Sequence, residues 1–175
     1  QTAVQSEISG HGDEVVVITS GEGTTSQGEF FEALNTASNK KLPAIFLIED
    51  NGYAISVPVE VQTAGGSISH LVQNYPDLYI EKVDGCDLEA SFQAMSRAVD
   101  WCRERKGPAL IHASVVRPYS HSMSDDDKAY KTSEQREEDK INDPLDVMVK
   151  LLLKRGVLDQ AGIDAIRNSV DGEIA

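Results

Sequence analysis

Two unbroken apolar runs, each ending in a glycine-rich polar turn and separated by one helix-length segment, constrain this chain more than any other feature. Val15-Val16-Val17-Ile18 shows no alternation of polar and apolar residues. Such a run marks a strand covered on both faces, as in a parallel sheet, and a strand over 14–19 is predicted. It leads into Gly21-Glu22-Gly23, where two residues without a Cβ let the backbone turn sharply and approach a phosphate. Thr24, Thr25 and Ser26 then offer hydroxyls and an N-cap. From Gly28 to Asn39, Phe30, Phe31, Ala33, Leu34 and Ala37 recur at helical spacing. Pro43 opens a second buried strand, Ala44-Ile45-Phe46-Leu47-Ile48, which ends at Glu49-Asp50-Asn51-Gly52-Tyr53. Parallel strands joined by a right-handed crossover place both carboxyl ends on one edge, where ligands of open α/β sheets bind.

That edge brings together Glu22 and Asn51, 29 positions apart. Carboxylate, amide oxygen, main-chain carbonyl and diphosphate oxygens are the donors that octahedral magnesium takes when it bridges protein and a phosphorylated ligand. Gly-acid-Gly alone is an ordinary turn, and Asn-Gly after a strand is another common one. What is selective is their joint occurrence at the ends of two strands with a helix between.

Gly21-Glu22-Gly23, followed roughly thirty residues later by Asp50-Asn51-Gly52-Tyr53, resembles the thiamine diphosphate signature, usually Gly-Asp-Gly followed by Asn-Asn. Gly28-Glu-Phe-Phe-Glu-Ala-Leu-Asn35 and Tyr53-Ala-Ile-Ser-Val-Pro58 are similar to the alpha subunit, or the alpha-like half of a fused chain, of the decarboxylating component of 2-oxo acid dehydrogenase complexes of pyruvate or branched-chain type. The similarity runs to at least Asp127. It implies an α/β fold of three layers, α/β/α, with a mainly parallel thiamine diphosphate-binding sheet. It implies magnesium held by the Glu22 carboxylate, the Asn51 side chain and the Tyr53 carbonyl, and thiamine diphosphate contacted by Gly21, Gly23, Thr24, Ile55 and His121. Arg117 and His121, in Arg117-Pro-Tyr-Ser-His-Ser-Met-Ser-Asp125, resemble the catalytic pair of the family's active-site loop, and Ser122 aligns with a serine phosphorylated in mitochondrial relatives. Two positions depart from the signature: Glu22 replaces Asp, and Asp50 replaces the first Asn.

The function so implied is oxidative decarboxylation of a 2-oxo acid, with the acyl unit passed to a lipoyl group. Its partners are a beta subunit or beta-like region carrying the pyrimidine-binding domain and the glutamate that activates the aminopyrimidine, and a lipoyl acyltransferase component. The assembly would be a heterotetramer, or a homodimer of a fused chain. Another thiamine diphosphate enzyme of the acetoin dehydrogenase kind, or a non-catalytic cofactor-binding or assembly domain, would share the metal site.

Further along, a short helix is predicted around Ile68–Asn74 after the Gly65-Gly66 hinge, and a strand over 78–83. A helix follows from the Asp87 cap to Arg105 with Leu88, Phe92, Met95, Val99 and Trp101/Cys102 inward. Ala109 to Val116 reads as a buried strand, in which His112 is a satisfied sheet histidine, and Arg117 to Asp125 leaves its end. Charges dominate from Asp125 to Asp143, which predicts a segment mobile without ligand. Pro144 starts a helix that Gly156 ends, and another opens at Leu158-Asp159. The chain thus divides into a diphosphate- and magnesium-binding domain, 1–143, with its active-site loop at 117–143, and a C-terminal helical extension, 144–175. The abrupt opening Gln1 to Gly12 reads as the end of a helix in a fragment of a longer chain, with His11 facing solvent.

Sixteen basic against 29 acidic residues leave a net charge of −13 over 175 residues, which argues against nucleic acid or an anionic membrane surface as partner. No run suits a membrane span, and Cys86 and Cys102 have no metal spacing and read as reduced thiols, so a cytoplasmic protein is expected.

Overall fold

A four-stranded, wholly parallel sheet forms the centre of the molecule. The computed structural model describes residues 12–174, so the readings made for residues 1–11, His11 included, lie outside the described residues. In chain order the elements are β1 (Val16–Gly21), a 3-10 turn (Glu22–Ser26), α1 (Gly28–Lys40), β2 (Ala44–Asp50), the small hairpin β3 (Tyr53–Ala54) and β4 (Val57–Pro58), α2 (Val59–Gln62), α3 (Ile68–Leu71), β5 (Tyr79–Asp84), α4 (Leu88–Arg103), β6 (Ala109–Ser114), α5 (Ser133–Ile141), α6 (Pro144–Lys154) and α7 (Gln160–Ile174). The strand order is β1-β2-β6-β5, so β2 and β6 are central and all carboxyl ends share one rim.

Alternation along the strands sends side chains into two cores. Phe46, Ile48 and Leu110 meet Leu34 and Ala37 of α1 and Ile68 and Val72 of the α3 region. Ile45 and Ile111 point the other way, onto Ala94, Ala98 and Cys102 of α4. This is the expected three-layer α/β/α arrangement. Leu34, Ile45 and Leu110 have no exposed surface, and each such side chain contributes about 2–3 kcal/mol relative to leaving it in water. Burial among apolar atoms pushes the Cys102 thiol up to about 11. Among the described residues no helix is long and apolar enough to cross a membrane.

Two sequence expectations are corrected. Among the described residues β1 is an edge strand, and Val17 and Ile18 are 49% and 39% exposed, not covered on both faces. On α4 Met95, Val99, Trp101 and Cys102 pack inward as expected, but Leu88 and Phe92 face solvent at 58% and 72% exposure, and Ala94 and Ala98, small enough to let the helix approach the sheet, are buried instead. The charge-rich segment from Asp125 to Asp143 carries local structure. A 3-10 turn covers Asp127–Ala129, and α5 starts in a capping box, with the Thr132 hydroxyl accepting from the Gln135 amide and the Gln135 side chain accepting from the Thr132 amide.

Beyond α5, Asp143 caps α6 by accepting from the Leu145 amide. Arg155, just past α6, makes a two-pronged ion pair with Glu89 at the start of α4. Ile163 buries one side of α7.

Candidate functional site

Strand register decides what meets at the rim. Gly21 pairs with Glu49 across β1 and β2, so the next residue on each strand, Glu22 and Asp50, stands at the same level, and Asn51 follows. Glu22 is 1% exposed. Its Oε2 accepts the Asn51 amide at 3.3 Å, while Oε1 is buried with no partner. Burial raises the Glu22 carboxyl above its usual range, and the nearby Asp50 charge adds to the rise, against lowering by backbone amides and Arg117. An unpartnered carboxylate oxygen held away from water is costly unless a cation meets it.

The turns themselves are tightly specified. The Thr25 hydroxyl donates to the Glu22 carbonyl at 2.6 Å, and the Gln62 amide donates to the Gly23 carbonyl at 2.6 Å and to Ser26 Oγ at 3.0 Å. A Cβ on Gly23 would lie 2.9 Å from the Ala54 Cβ, so only glycine permits this close approach. Gly52 adopts φ +80°; its amide donates to Asp50 Oδ1 at 2.8 Å, and its carbonyl accepts from the Val59 amide at 2.9 Å. Asn51 Oδ1 accepts from the Tyr53 amide at 3.2 Å. Ile55 has φ +59°, a conformation that costs a β-branched residue strain. Arg117 Nη2 donates to the Ile55 carbonyl at 2.9 Å.

The segment after β6 closes one side. Arg117 Nη2 also reaches the Tyr130 hydroxyl at 2.7 Å, and that hydroxyl donates to Asp125 Oδ2 at 2.5 Å. The same Asp125 oxygen accepts the His121 amide at 2.9 Å. Tyr130 is pushed up to about 12 by burial and by the Asp125 carboxylate, and Asp125 is lowered by Tyr130 and the His121 amide. The Lys131 ammonium is buried; it donates to the Arg117 carbonyl at 3.2 Å and to Asp139 at 2.5 Å, and it lies 5.3 Å from the centre of the Tyr53 ring. Arg117 Nε and Nη1 are buried without partners.

All eight positions that the resemblance assigns to the cofactor or metal, Gly21, Glu22, Gly23, Thr24, Asn51, Tyr53, Ile55 and His121, line one open cavity of about 510 Å³ at the rim. Arg117 stands beside it through its bond to Ile55. Among the described residues no group of three or more His, Cys, Asp or Glu side chains gathers as a metal cluster. The candidate set is of another kind: one carboxylate, one amide oxygen and one main-chain carbonyl, a hard-oxygen set suited to magnesium. The orphaned Glu22 oxygen fits a cation there.

The family model described as "Dehydrogenase E1 component" matches residues 2–175. The chain belongs to the dehydrogenase E1 component family. It is 35% identical over 162 residues to the pyruvate dehydrogenase E1 component subunit alpha of Mycoplasma genitalium, covering 91% of this chain and 44% of that one. It is 39% identical over 146 residues to the 2-oxoisovalerate dehydrogenase subunit alpha of Bacillus subtilis, covering 83% and 44%. It is 37% identical over 153 residues to a pyruvate dehydrogenase E1 component subunit alpha of Staphylococcus aureus, covering 85% and 40%. The chain thus spans less than half the length of these relatives.

Several residues that shape the site escaped the sequence reading. Gln62 carries no local signal, because its role depends on a carbonyl 39 positions away. Lys131 sits in a charge-rich stretch that reads as solvated. For α5 the signal was present as Thr132-x-x-Gln135, a capping-box pattern.

Proposed function

We propose that this chain carries the magnesium and diphosphate side of the thiamine diphosphate site of a 2-oxo acid dehydrogenase, with residues 1–143 forming that domain and 144–175 a helical extension. The observation that carries the reading is the buried Glu22 carboxylate at two parallel strand ends, whose Oε2 accepts the Asn51 amide and whose Oε1 has no partner. Membership of the E1 family supports it. The Glu22 carboxylate, the Asn51 side-chain oxygen and the Tyr53 carbonyl would hold magnesium. Gly21, Gly23 and Thr24 would lie along the diphosphate, and Ile55 and His121 against the rest of the cofactor. Thiamine diphosphate, when bound, supplies the carbanion stabilisation by which a 2-oxo acid loses carbon dioxide.

The protein's part is chiefly to orient and to exclude water. Gln62 and Thr25 fix the Gly21–Gly23 turn, Asp50 fixes Gly52, and Arg117 ties the strained Ile55 to the loop that presents His121. His121 and Arg117 are the residues proposed to contact reacting groups, a cationic side chain and a titratable one suiting a diphosphate and a 2-oxo acid. A beta subunit or beta-like region would complete the site, and a lipoyl acyltransferase would take the acyl unit. A cytoplasmic complex, as a heterotetramer or a fused homodimer, is the arrangement we infer.

The test is turnover by the full-length protein with its partner region on a panel of 2-oxo acids with an artificial electron acceptor. The reading predicts magnesium- and thiamine diphosphate-dependent decarboxylation of pyruvate or a branched-chain 2-oxo acid. Turnover of acetoin in preference to every 2-oxo acid, or binding of cofactor with no turnover of any substrate, would overturn it.

A further inference from the structure

His112 lies in the middle of β6, between Ile48 of β2 and Lys82 of β5, and is 5% exposed. Both ring nitrogens are engaged. Nδ1 lies 2.8 Å from Ser69 Oγ, and Nε2 lies 2.7 Å from Asp50 Oδ2. The other Asp50 oxygen accepts the Gly52 amide at 2.8 Å, and Ser69 Oγ is 3.2 Å from Ser67 Oγ. An unbroken line of hydrogen bonds therefore runs from α3, through the sheet, to the turn that carries Asn51 and Tyr53. Ser, His and Asp in this order have the composition of a hydrolytic triad, but Ser69 is 3% exposed, and the open cavity it lines with His70, Gln73 and Lys82 shares no residue with the rim cavity of Glu22 and Asn51. The line ends on the backbone amide of Gly52, in the turn between Asn51 and Tyr53, which is the geometry of a strut.

Asp50 stands where the thiamine diphosphate signature has Asn. A carboxylate cannot donate, so its neighbour in the sheet must do so. An imidazole proton on Nε2 meets that need and leaves Nδ1 to accept from Ser69. Burial alone would raise the Asp50 carboxyl, but the hydrogen bonds from His112 and Gly52 outweigh it and hold the group below its usual range.

We propose that His112 is a positioning residue for the magnesium and diphosphate site: its bond to Asp50, backed by Ser69, holds the Asn51–Tyr53 turn in the conformation that presents its oxygens to the metal. The inference rests on the function proposed above and adds residues that touch neither metal nor cofactor. Loss of such outer hydrogen bonds weakens metal binding by about tenfold or more. Because the partners act as one line, losing two of them should cost little more than losing one.

The test is calorimetric titration of the full-length protein with magnesium and thiamine diphosphate, alongside thermal melts. His112→Ala and Asp50→Ala should each weaken affinity by about tenfold, and the double variant by little more than either. Asp50→Asn should rescue: its amide oxygen can still accept from Gly52, its NH2 can donate to Nε2, and the imidazole proton moves to Nδ1. Ile111→Val, one residue along β6 and facing the other layer, should lower the melting temperature and leave affinity unchanged. If His112→Ala does not fold, Asp50→Ala against Asp50→Asn carries the comparison alone. Wild-type affinity in the alanine variants, an Asp50→Asn variant as weak as Asp50→Ala, or an equal loss in Ile111→Val would each overturn the strut. Glu22→Ala separates the two levels. If it weakens binding while His112→Ala does not, only the strut fails; if it too binds as wild type, the metal assignment fails and the strut falls with it.

Discussion

The turns after β1 and β2 and the segment after β6 reach the same rim by different means. The first two are short, leave paired strands at matched register, and are held by bonds with a main-chain group on one side: Thr25 on the Glu22 carbonyl, Gln62 on the Gly23 carbonyl, the Asn51 amide on Glu22 and the Gly52 amide on Asp50. The third runs from Arg117 to Asp143 and is held by side chains: Arg117 on Tyr130, Tyr130 on Asp125, Lys131 on Asp139, and Gln135 on the Tyr53 hydroxyl at 3.2 Å. Turns pinned to paired strand ends have little freedom to open. A segment tied by a few polar side chains opens at lower cost, as ligand-enclosing loops do. On this view the cradle binds, and the loop governs access and turnover.

The largest effect should come from the cradle. Glu22→Ala in the full-length protein is expected to weaken binding of magnesium and thiamine diphosphate by about tenfold to a hundredfold, since a direct ligand matters no less than the outer partners whose loss costs that much. Unchanged affinity by calorimetry would remove the cradle from the comparison.

Lys131→Ala addresses the loop. It leaves Asp139 without its buried partner, and because the Asp139 side chain retains 20% exposure the cost should lie near 2 kcal/mol, between that of a buried and that of a surface pair. Hydrogen exchange across 120–141 should then quicken about thirtyfold, with Glu22 and Asn51 unaltered. Equal acceleration in both regions would mean that they open as one unit.

His121→Ala should lower the decarboxylation rate about tenfold while the melting temperature stays within a few degrees, as for other exposed loop positions. A fully active variant would leave the loop with no part in turnover.

The smallest effect concerns the cost of the empty cradle. Burial holds the Glu22 carboxyl pKa above its unfolded value, so the folded state binds that proton more tightly. The stability present while the group is protonated is lost as pH rises through the folded pKa. Glu22→Gln should therefore raise the melting temperature of the metal-free protein at neutral pH by about 2–4 °C, the shift expected of roughly 1 kcal/mol in a domain of this size. The advantage should fade as pH falls and the wild-type carboxyl takes up its proton. A lower melting temperature would show that the carboxylate is satisfied without metal.

The same contrast explains what the sequence could reveal. Two apolar runs and the turns behind them locate Glu22 and Asn51, because parallel pairing converts sequence position into place on a rim. β-Branching, however, reports extended backbone and not coverage, so Val17 and Ile18 looked like core although β1 is an edge among the described residues. On α4, Leu88 and Phe92 are larger than Ala94 and Ala98, but close packing against the sheet selects the small residues. His112 was legible as a satisfied sheet histidine; its partners Ser69 and Asp50 were not, being 43 and 62 positions away. Lys131 was hidden for another reason: its partners Asp139 and Arg117 are only 8 and 14 positions away, but the charge-rich stretch around it reads as solvated.

The most direct measurement is a crystal structure of the full-length protein with magnesium and thiamine diphosphate. The account predicts one six-coordinate ion with the Glu22 carboxylate, Asn51 Oδ1 and the Tyr53 carbonyl each at about 2.0–2.2 Å, and the diphosphate along Gly23 and Thr24. Diphosphate density at another edge of the sheet, or an ion at this rim that leaves Glu22 Oε1 without a ligand contact, would contradict it.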